Sequence, residues 1–381
     1  MRDKPAAEPA AGPKADSEGV LRATLDTTRD RNAADLAARL SLWLDLKFPG
    51  ARVTSVNSPE QSGASSELYF LTLTDTNIHG RAVHEAVLRL SPAYPVYPIV
   101  DLQMKFRCMD IVRRRSSAPV PVVYLCETDA EVLGAPFLMM ERRRGRGAPD
   151  WPSYVREGWI HDLNRDDQER LWRNGIEAVA AVHRTDLRGE DCHGLTLAVP
   201  GASPLDRMLV YWRRYLEFVS QGGEYPQLEQ AVAWLERERP DLEFEPRMVW
   251  GDASLRNMLF EGLHPCALLD FEFAHVGIAP FDIAFYALMD YVMAEGFAAG
   301  SPRLAGFVGI QRTLDVYESI TGWPVPAREY FVRMAAAYMS LATTRVFQRL
   351  AREGRVPAET VSSNPPLLIL GKIMESGRLP E

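Results

Sequence analysis

The hydrophobic periodicity of this chain changes near residue 143, and this change limits the possible fold more than any other feature. Before it, from residue 50 onwards, β-branched and aromatic residues alternate with polar ones in short runs bounded by turn residues, which is typical of antiparallel strands. One segment inserted among these runs has helical spacing instead. Beyond the change, long segments carry apolar residues at helical intervals. The pattern therefore predicts an α+β, bilobal fold.

We divide the chain accordingly. The prediction is a leader over residues 1–30, a small antiparallel β-rich lobe over residues 31–143 and a larger, mostly helical lobe over residues 144–381, with a hinge near residues 139–143. The leader is rich in Pro, Ala and charges of both signs, a composition that predicts disorder.

Composition excludes several classes of protein. With 381 residues, 46% of them hydrophobic and 25% charged, the chain is typical of a globular protein large enough for two lobes. Its formal net charge of −8 argues against a nucleic-acid partner, because such proteins concentrate Lys and Arg. No window approaches the roughly 18 consecutive apolar residues of a spanning helix, and the four cysteines show no paired spacing. We predict a cytoplasmic protein without a membrane partner.

One stretch, residues 248–277, carries the candidate chemistry. Asp252 is followed by Asn257 in a loop between two apolar runs, and Asp270 ends a later strand-like run. Two short strands joined by a tight turn would bring Asn257 and Asp270 side by side. Mg²⁺ commonly takes one or two carboxylates together with substrate phosphates, and these side chains supply such a partial shell. Asp252 would then be the base that accepts a hydroxyl proton.

The alternative is that these residues only make turns, as single Asp and Asn residues often do. A second observation argues against this alternative. The chain contains D-x-x-x-x-N, then an apolar strand, then D-F-E, which matches the catalytic loop and metal-binding motif of protein kinases in order and spacing. The combined pattern favours phosphoryl transfer over turn formation.

The stretches "WGDASLRNMLFEG" and "ALLDFEFAHVGIAPFDIAF" resemble the aminoglycoside phosphotransferase family, most of all its branch related to the kinase-like domain fused to some acyl-CoA dehydrogenases. Further landmarks follow the family order, among them "SGASSELYFL", "AVLRLSP", "AVAAVHRTDL" and "LVYWRRYLEF". The resemblance covers roughly residues 35–350. It implies a bilobal, protein-kinase-like fold with nucleotide bound between the lobes.

The resemblance also implies which residues hold the nucleotide. The stretch "QSGASSE" falls where the family has its nucleotide loop, and small residues there let backbone N–H groups approach phosphates. Its candidate members are Ser62, Gly63, Ala64 and Ser65. The alternative for this stretch is an ordinary turn between two strands.

Arg89 occupies the strand position where kinases carry the lysine that pairs with phosphates. Arginine still offers a permanent charge and a bidentate fork for phosphate. The alternative is an outward-facing charge on an edge strand. Kinases hold this cation with a helix glutamate, and the equivalent position here is expected to be Gln103, which departs from the family pattern.

Met140 and Arg142 fall in the segment that resembles the hinge whose main chain contacts adenine. Trp250 replaces the histidine that usually precedes Gly-Asp in the family, and Asp282 resembles the buried aspartate that braces the catalytic loop. For Glu272, beside Asp270, the resemblance leaves open a contact with metal, direct or through water. His183 is expected in a core or capping role.

The residues and the resemblance together predict a Mg²⁺-dependent phosphotransferase that moves the γ-phosphate of ATP or GTP to a hydroxyl of a small molecule. A metabolite such as a hydroxyacyl-CoA is one candidate acceptor. An aminoglycoside or related antibiotic is another, and it would need pocket carboxylates such as Asp290 and Glu295. A third possibility is a nucleotide-binding pseudokinase with a regulatory role, which Trp250 and Gln103 suggest.

Overall fold

The computed structural model describes residues 32–58, 67–149, 152–376 and 379. Helix α1 (Ala33–Lys47) opens the first lobe, and its first turn is capped by the side chain of Asn32, which accepts a hydrogen bond from the Ala34 N–H at 2.9 Å. Its buried leucines, one turn apart, pack against the sheet that follows. Its apolar stripe has the 3.6-residue period of an amphipathic helix.

The first lobe contains a five-stranded antiparallel sheet, which confirms the predicted strand character of this region. The strands here are β1 (Arg52–Asn57), β2 (Glu67–Thr74), β3 (Asn77–Ile78), β4 (Arg81–Ala82), β5 (Glu85–Leu90), β6 (Val123–Glu127) and β7 (Phe137–Glu141). The sheet order is β1-β2-β5-β7-β6, and β3 pairs with β4 in a separate short ribbon. The strand that carries Arg89 is therefore central and not an edge strand.

Two helices, not the single one predicted, are inserted into this sheet. Helix α2 (Leu102–Arg115) has the expected helical period and is capped by the Asp101 side chain. Helix α3 (Ala130–Leu133) is only four residues long, so it shows no periodicity. Its signals are local: the side chain of Asp129 caps its start, and Gly134, in the left-handed conformation, ends it.

The second lobe is mainly helical, as predicted. Its helices are α4 (Arg165–His183), α5 (Pro204–Ser220), α6 (Pro226–Arg237), α7 (Ala279–Val292), α8 (Ile310–Thr321), α9 (Arg328–Arg352) and α10 (Pro365–Ser376). Helix α10 was not among the predicted helices, although its buried residues Pro366, Ile369, Leu370 and Ile373 have helical spacing. None of the helices in the described ranges is both long and apolar enough to cross a membrane.

Short strands interrupt the helices where the candidate chemistry lies. They are β8 (Arg146–Gly147), β9 (Arg247–Val249), β10 (Met258–Glu261), β11 (His264–Leu268) and β12 (His275–Gly277). Strands β10 and β11 form the predicted hairpin, with Met258 opposite Leu268, and β9 pairs with β12. These two pairs hold the segments that contain Asp252 and Asp270.

Candidate active site

The loop over residues 250–257 is held in place by the carboxylate of Asp282, which is fully buried at the start of α7. Its Oδ1 accepts a hydrogen bond from the Gly251 N–H at 2.8 Å, and its Oδ2 accepts one from the Trp250 N–H at 2.7 Å. Gly251 has a φ of 86°, in the left-handed region that favours glycine. This contact is the bracing expected of Asp282.

Two further side chains complete the support of this loop. His183 is buried, with Nε2 3.0 Å from Asp282 Oδ2 and Nδ1 2.8 Å from the Tyr317 hydroxyl. The indole Nε1–H of Trp250 donates to the Leu269 carbonyl at 2.8 Å. His183 therefore has a structural role, as predicted, and Trp250 links the loop to the strand end that precedes Asp270.

Asn257 joins the two halves of the candidate site. Its side-chain Nδ2 donates to the Asp252 carbonyl at 3.0 Å, and its own carbonyl accepts from the Leu269 N–H at 2.8 Å. The hairpin therefore brings Asn257 beside Asp270, as the spacing predicted. Since the amide nitrogen is used within the loop, Asn257 Oδ1 is the atom of this side chain suited to a cation.

The environment of Asp252 favours its protonated form. Burial of the carboxyl and the nearby Asp270 charge raise the pKa of Asp252 to about 7, against the opposing effects of Arg256 and the Asn257 amide. A carboxyl group with a pKa near neutrality can accept and release a proton under physiological conditions.

Arg89 reaches across the cleft to the carboxylates of Asp270 and Glu272. Its Nη2 lies 3.2 Å from Asp270 Oδ1 and 2.8 Å from Glu272 Oε1, and only 13% of its side chain is exposed. Burial by itself lowers the pKa of Arg89, but the carboxylates of Asp270 and Glu272 outweigh it and raise that pKa. The outward-facing alternative for Arg89 is therefore wrong, because β5 is a central strand and the guanidinium points into the cleft.

The helix residue next to this cluster is not the one that sequence reasoning selected. Gln103 is exposed, whereas Lys105 on the same helix is buried and lines the cavity beside Arg89 and Glu272. The sequence contained a signal for Lys105: it lies on the buried stripe of α2, three and four residues before Cys108 and Met109.

The cavity beside Arg89 has an empty volume of about 550 Å³, including its open mouth. Arg89, Lys105 and Glu272 form its polar part, and Leu138 and Phe271 are among its apolar lining residues. A cleft of this kind, apolar with a few convergent charged groups, is typical of small-molecule sites.

The structure corrects the position of the hinge. Met140 lies inside β7, opposite Val87 of β5 and Val123 of β6, so its main chain belongs to the sheet. The chain leaves the sheet after Glu141, and of the two predicted hinge residues only Arg142 lies in the connection. The sequence pattern could not separate the strand from the connection because apolar residues continue almost to the end of the strand.

The side chain of Arg142 contacts Glu85 and Phe70. It donates to Glu85 Oε1 at 3.2 Å and lies over the Phe70 ring, 4.1 Å from the ring centroid. Any contact of Arg142 with a base would therefore use its main chain, as predicted for a hinge.

The predicted nucleotide loop, with Ser62, Gly63, Ala64 and Ser65, lies outside the described residues. Strand β1 ends at Asn57 and β2 begins at Glu67, the two strands that the loop was expected to join.

A sheet-bearing lobe, a helical lobe and a D-x-x-x-x-N loop facing an aspartate at a strand end define a kinase-like phosphotransferase fold. The model of the phosphotransferase enzyme family, APH, matches residues 58–320, which is more than half of the chain. The chain belongs to this family.

Curated relatives agree with this assignment. The chain is 25% identical over 283 residues to mouse acyl-CoA dehydrogenase family member 10, covering 73% of this chain and 23% of that protein. It is also 25% identical over 294 residues to the probable acyl-CoA dehydrogenase IBR3 of Arabidopsis thaliana, covering 71% and 34% respectively. The matched part is thus about a quarter to a third of the length of these relatives.

Solved structures share the fold. A putative aminoglycoside phosphotransferase from Ralstonia eutropha aligns with a TM-score of 0.61 at 18% identity, covering 88% of this chain and 93% of that one. A ternary complex of the aminoglycoside phosphotransferase APH(4)-Ia with AMP-PNP and hygromycin B aligns with a TM-score of 0.54 at 14% identity, covering 88% and 99%. A macrolide 2'-phosphotransferase type I aligns at 0.53 and 16%, covering 92% and 99%.

Proposed function

We propose that this protein is a Mg²⁺-dependent kinase that transfers the γ-phosphate of ATP or GTP to a hydroxyl of a small molecule. One observation carries the proposal: Arg89 Nη2 of the first lobe lies 3.2 Å from Asp270 Oδ1 of the second lobe, beside the loop that contains Asp252. A permanent cation, a carboxylate at a strand end and an aspartate that can accept a proton are groups that phosphoryl transfer uses.

In this proposal the first lobe, residues 31–143, holds the nucleotide. Arg89 contacts its phosphates through the guanidinium fork, the loop of residues 62–65 approaches the phosphates through main-chain N–H groups, and the main chain near Arg142 contacts the base. The second lobe, residues 144–381, supplies the catalytic loop, the metal ligands and the acceptor pocket.

The donor set near Asp270 suits Mg²⁺ held together with a nucleotide. Asn257 Oδ1 and the Asp270 carboxylate would hold the ion, while the described residues contain no group of three or more His, Cys, Asp or Glu side chains that could bind a metal alone. Magnesium is usually bound by one or two carboxylates plus substrate phosphates, so this partial shell fits. When bound, the ion would neutralise charge that develops on the phosphate oxygens.

Asp252 is the proposed base. It orients the acceptor hydroxyl and takes up its proton as the oxygen attacks the γ-phosphorus, while the bond from that phosphorus to the bridging oxygen breaks and the nucleoside diphosphate leaves. The transfer is direct, so no residue of this chain has to form a covalent intermediate.

For the acceptor, we favour a hydroxylated metabolite over a polycationic antibiotic. Asp290, a candidate for binding amino groups, is fully buried and accepts from Nε and Nη2 of Arg303, both at 3.0 Å. The hydroxyls of Tyr97 and Tyr338 lie 3.1 Å apart, and burial raises the pKa of both, with the charge of Asp252 adding to this effect. A hydroxyacyl-CoA is the metabolite class to test first, because the matched relatives are acyl-CoA dehydrogenase family members.

The first test is thermal unfolding with and without MgATP and MgGTP, in the wild type and in Asp270→Asn. A ligand that binds only the folded state at 100 times its Kd adds about 2.7 kcal/mol to the free energy of unfolding. A nucleotide-dependent rise in Tm that Asp270→Asn loses supports the proposal, and phosphate transfer to hydroxyacyl-CoA and aminoglycoside panels then separates the acceptors. A wild type without any shift contradicts the proposal, while binding without transfer favours the pseudokinase.

A further inference from the structure

We propose that Glu272 is the positioning residue for Arg89, and that Lys105 of α2, which lines the same cavity, is the neighbouring cation that balances the charge of Glu272. This inference rests on the proposed function, because Arg89 is positioned for nucleotide phosphates. In kinases a helix glutamate holds the strand cation, and α2 has no such glutamate. Here the carboxylate comes from the segment after Asp270, and α2 contributes a cation.

The contact distances favour Glu272 over Asp270 as the lasting partner of Arg89. Arg89 Nη2 lies 2.8 Å from Glu272 Oε1 but 3.2 Å from Asp270 Oδ1. Glu272 is also the less exposed of the two carboxylates, with 13% of its side chain accessible against 22% for Asp270. A charge-assisted hydrogen bond in a more buried site is the stronger one.

The two carboxylates therefore have separate tasks. If Asp270 turns to a metal ion, it has to give up at least part of its contact with Arg89. Glu272 can keep its contact during that change, so the guanidinium stays where the phosphates bind. A single carboxylate could not hold both cations in this way.

Lys105 supplies the second cation of the cluster. It is 8% exposed, and it lines the cavity beside Arg89 together with Glu272. Its Nζ lies 5.7 Å from the centroid of the Tyr97 ring. Burial lowers the pKa of Lys105, and among the surrounding charges Glu272 opposes that lowering most. A buried ammonium group needs such a carboxylate to remain charged.

Charge balance supports this arrangement. Arg89 and Lys105 of the first lobe provide two positive charges, and Asp270 and Glu272 of the second lobe provide two negative charges. A glutamate at the Lys105 position would leave three carboxylates around one guanidinium. The carboxylate that kinases place on the helix is thus supplied here by the segment after Asp270, and the helix carries a lysine instead.

The alternative role for Glu272 is that of a metal ligand, and kinetics separate the two roles. We expect Glu272→Gln to weaken binding of ATP by about 10- to 100-fold, the loss of a hydrogen bond to a charged group, with a similar rise in KM for ATP. The Mg²⁺ concentration for half-maximal activity and the KM for the acceptor should stay within about twofold of the wild type. A metal ligand would give the reverse: a raised Mg²⁺ requirement.

Rescue by a second substitution is the decisive experiment. In Glu272→Gln/Lys105→Glu the carboxylate is supplied from α2, and we expect ATP binding to recover at least about tenfold relative to Glu272→Gln. The matched control is Glu272→Gln/Gln103→Glu, which adds a carboxylate at the exposed position of that helix and should not rescue. Glu272→Asp, which keeps the charge, serves as a conservative variant if the amide variant unfolds.

The outcomes are distinct. Binding is measured with AMP-PNP and Mg²⁺ by calorimetry, without turnover, and folding by the melting curve without ligand. If the wild type binds no nucleotide, the proposed function fails and this inference fails with it. If the wild type binds and Glu272→Gln binds equally well, only this inference is overturned. Equal rescue by Lys105→Glu and by Gln103→Glu would also overturn it, because general electrostatics would then explain the recovery.

Discussion

The imidazole of His183 and the carboxylate of Asp282, which are 99 residues apart in the chain, meet at 3.0 Å in the fully buried interior of the helical lobe. This buried hydrogen bond joins α4, which carries His183, to α7, which carries Asp282. Because the same carboxylate also accepts hydrogen bonds from the N–H groups of Trp250 and Gly251, the position of the loop over residues 250–257 depends on how α4 and α7 pack.

Substitution of Asp282 should therefore damage both stability and activity. In Asp282→Ala, two buried N–H groups and His183 lose their acceptor, and we expect the free energy of unfolding to fall by about 3 kcal/mol or more. Urea denaturation measures this loss. The control is Asp241→Asn at an exposed position, which should change stability by less than about 0.5 kcal/mol. Equal stability of the two variants would contradict the bracing role.

Asp252→Asn should remove catalysis while it preserves binding. The amide has nearly the same shape but cannot accept the hydroxyl proton, so we expect kcat to fall by about 10²- to 10⁴-fold. The Tm shift produced by MgATP should remain, because Asp252 is not a proposed ligand of the metal or of the phosphates. Single-turnover phosphate transfer is the measurement. A variant with nearly full kcat would show that another group takes the proton.

The backbone at Asp270 predicts a difference between two substitutions. Asp270 has a φ of 57°, a conformation that Asn and Asp adopt more readily than Ala. We expect Asp270→Ala to be less stable than Asp270→Asn by about 1 kcal/mol without ligand, although neither variant should respond to Mg²⁺ and nucleotide. Chemical denaturation of both proteins compares them directly, and an alanine variant as stable as the asparagine variant would argue against this backbone conformation.

Two glycines with left-handed backbones should respond differently to alanine. Gly251 has a φ of 86°, and a Cβ built there would lie 2.6 Å from the carbonyl carbon of Phe273. Gly262, in the β10–β11 turn, has a φ of 60° but open space around it. Gly262→Ala should therefore cost only about 1 to 2 kcal/mol from the backbone, whereas Gly251→Ala should be more destabilising and displace Asp252. The melting temperatures and kcat values of the pair provide the test.

His275 should make the protein sensitive to acid. Burial lowers the pKa of His275 from 6.5 to about 4, although the hydrogen bond with the Phe273 carbonyl partly opposes this. Because the unfolded chain binds the proton more tightly, the stabilisation is fully present above about pH 6.5 and is lost as the pH falls through 4, by about 3 kcal/mol in total.

Equilibrium unfolding between pH 4 and pH 7 measures this dependence. In His275→Asn, whose amide N–H can replace the Nδ1–H donor, the fall in stability with acid should be shallower than in the wild type. Identical slopes in the two proteins would mean that His275 is not responsible.

Much of the fold was predictable because its signals are local. The change from a two-residue to a 3.6-residue period and the hairpin between Asn257 and Asp270 depend on residues close together in the chain. For the same reason the spacing within the motif was enough to select the candidate base and metal ligands. A four-residue helix such as α3 is too short to show a period, and it was missed, as was α10.

The sequence by itself determined the bilobal order of strands and helices and the Asp252, Asn257 and Asp270 motif. Only the tertiary structure decided which charges meet: Arg89 with Asp270, 181 residues apart, and Lys105 in place of Gln103 at the cleft. Period and spacing describe neighbours along one segment, whereas an ion pair between lobes depends on how two distant segments approach each other. A charged side chain that is buried needs a partner of opposite charge, so the burial of each group determines which of them form ion pairs.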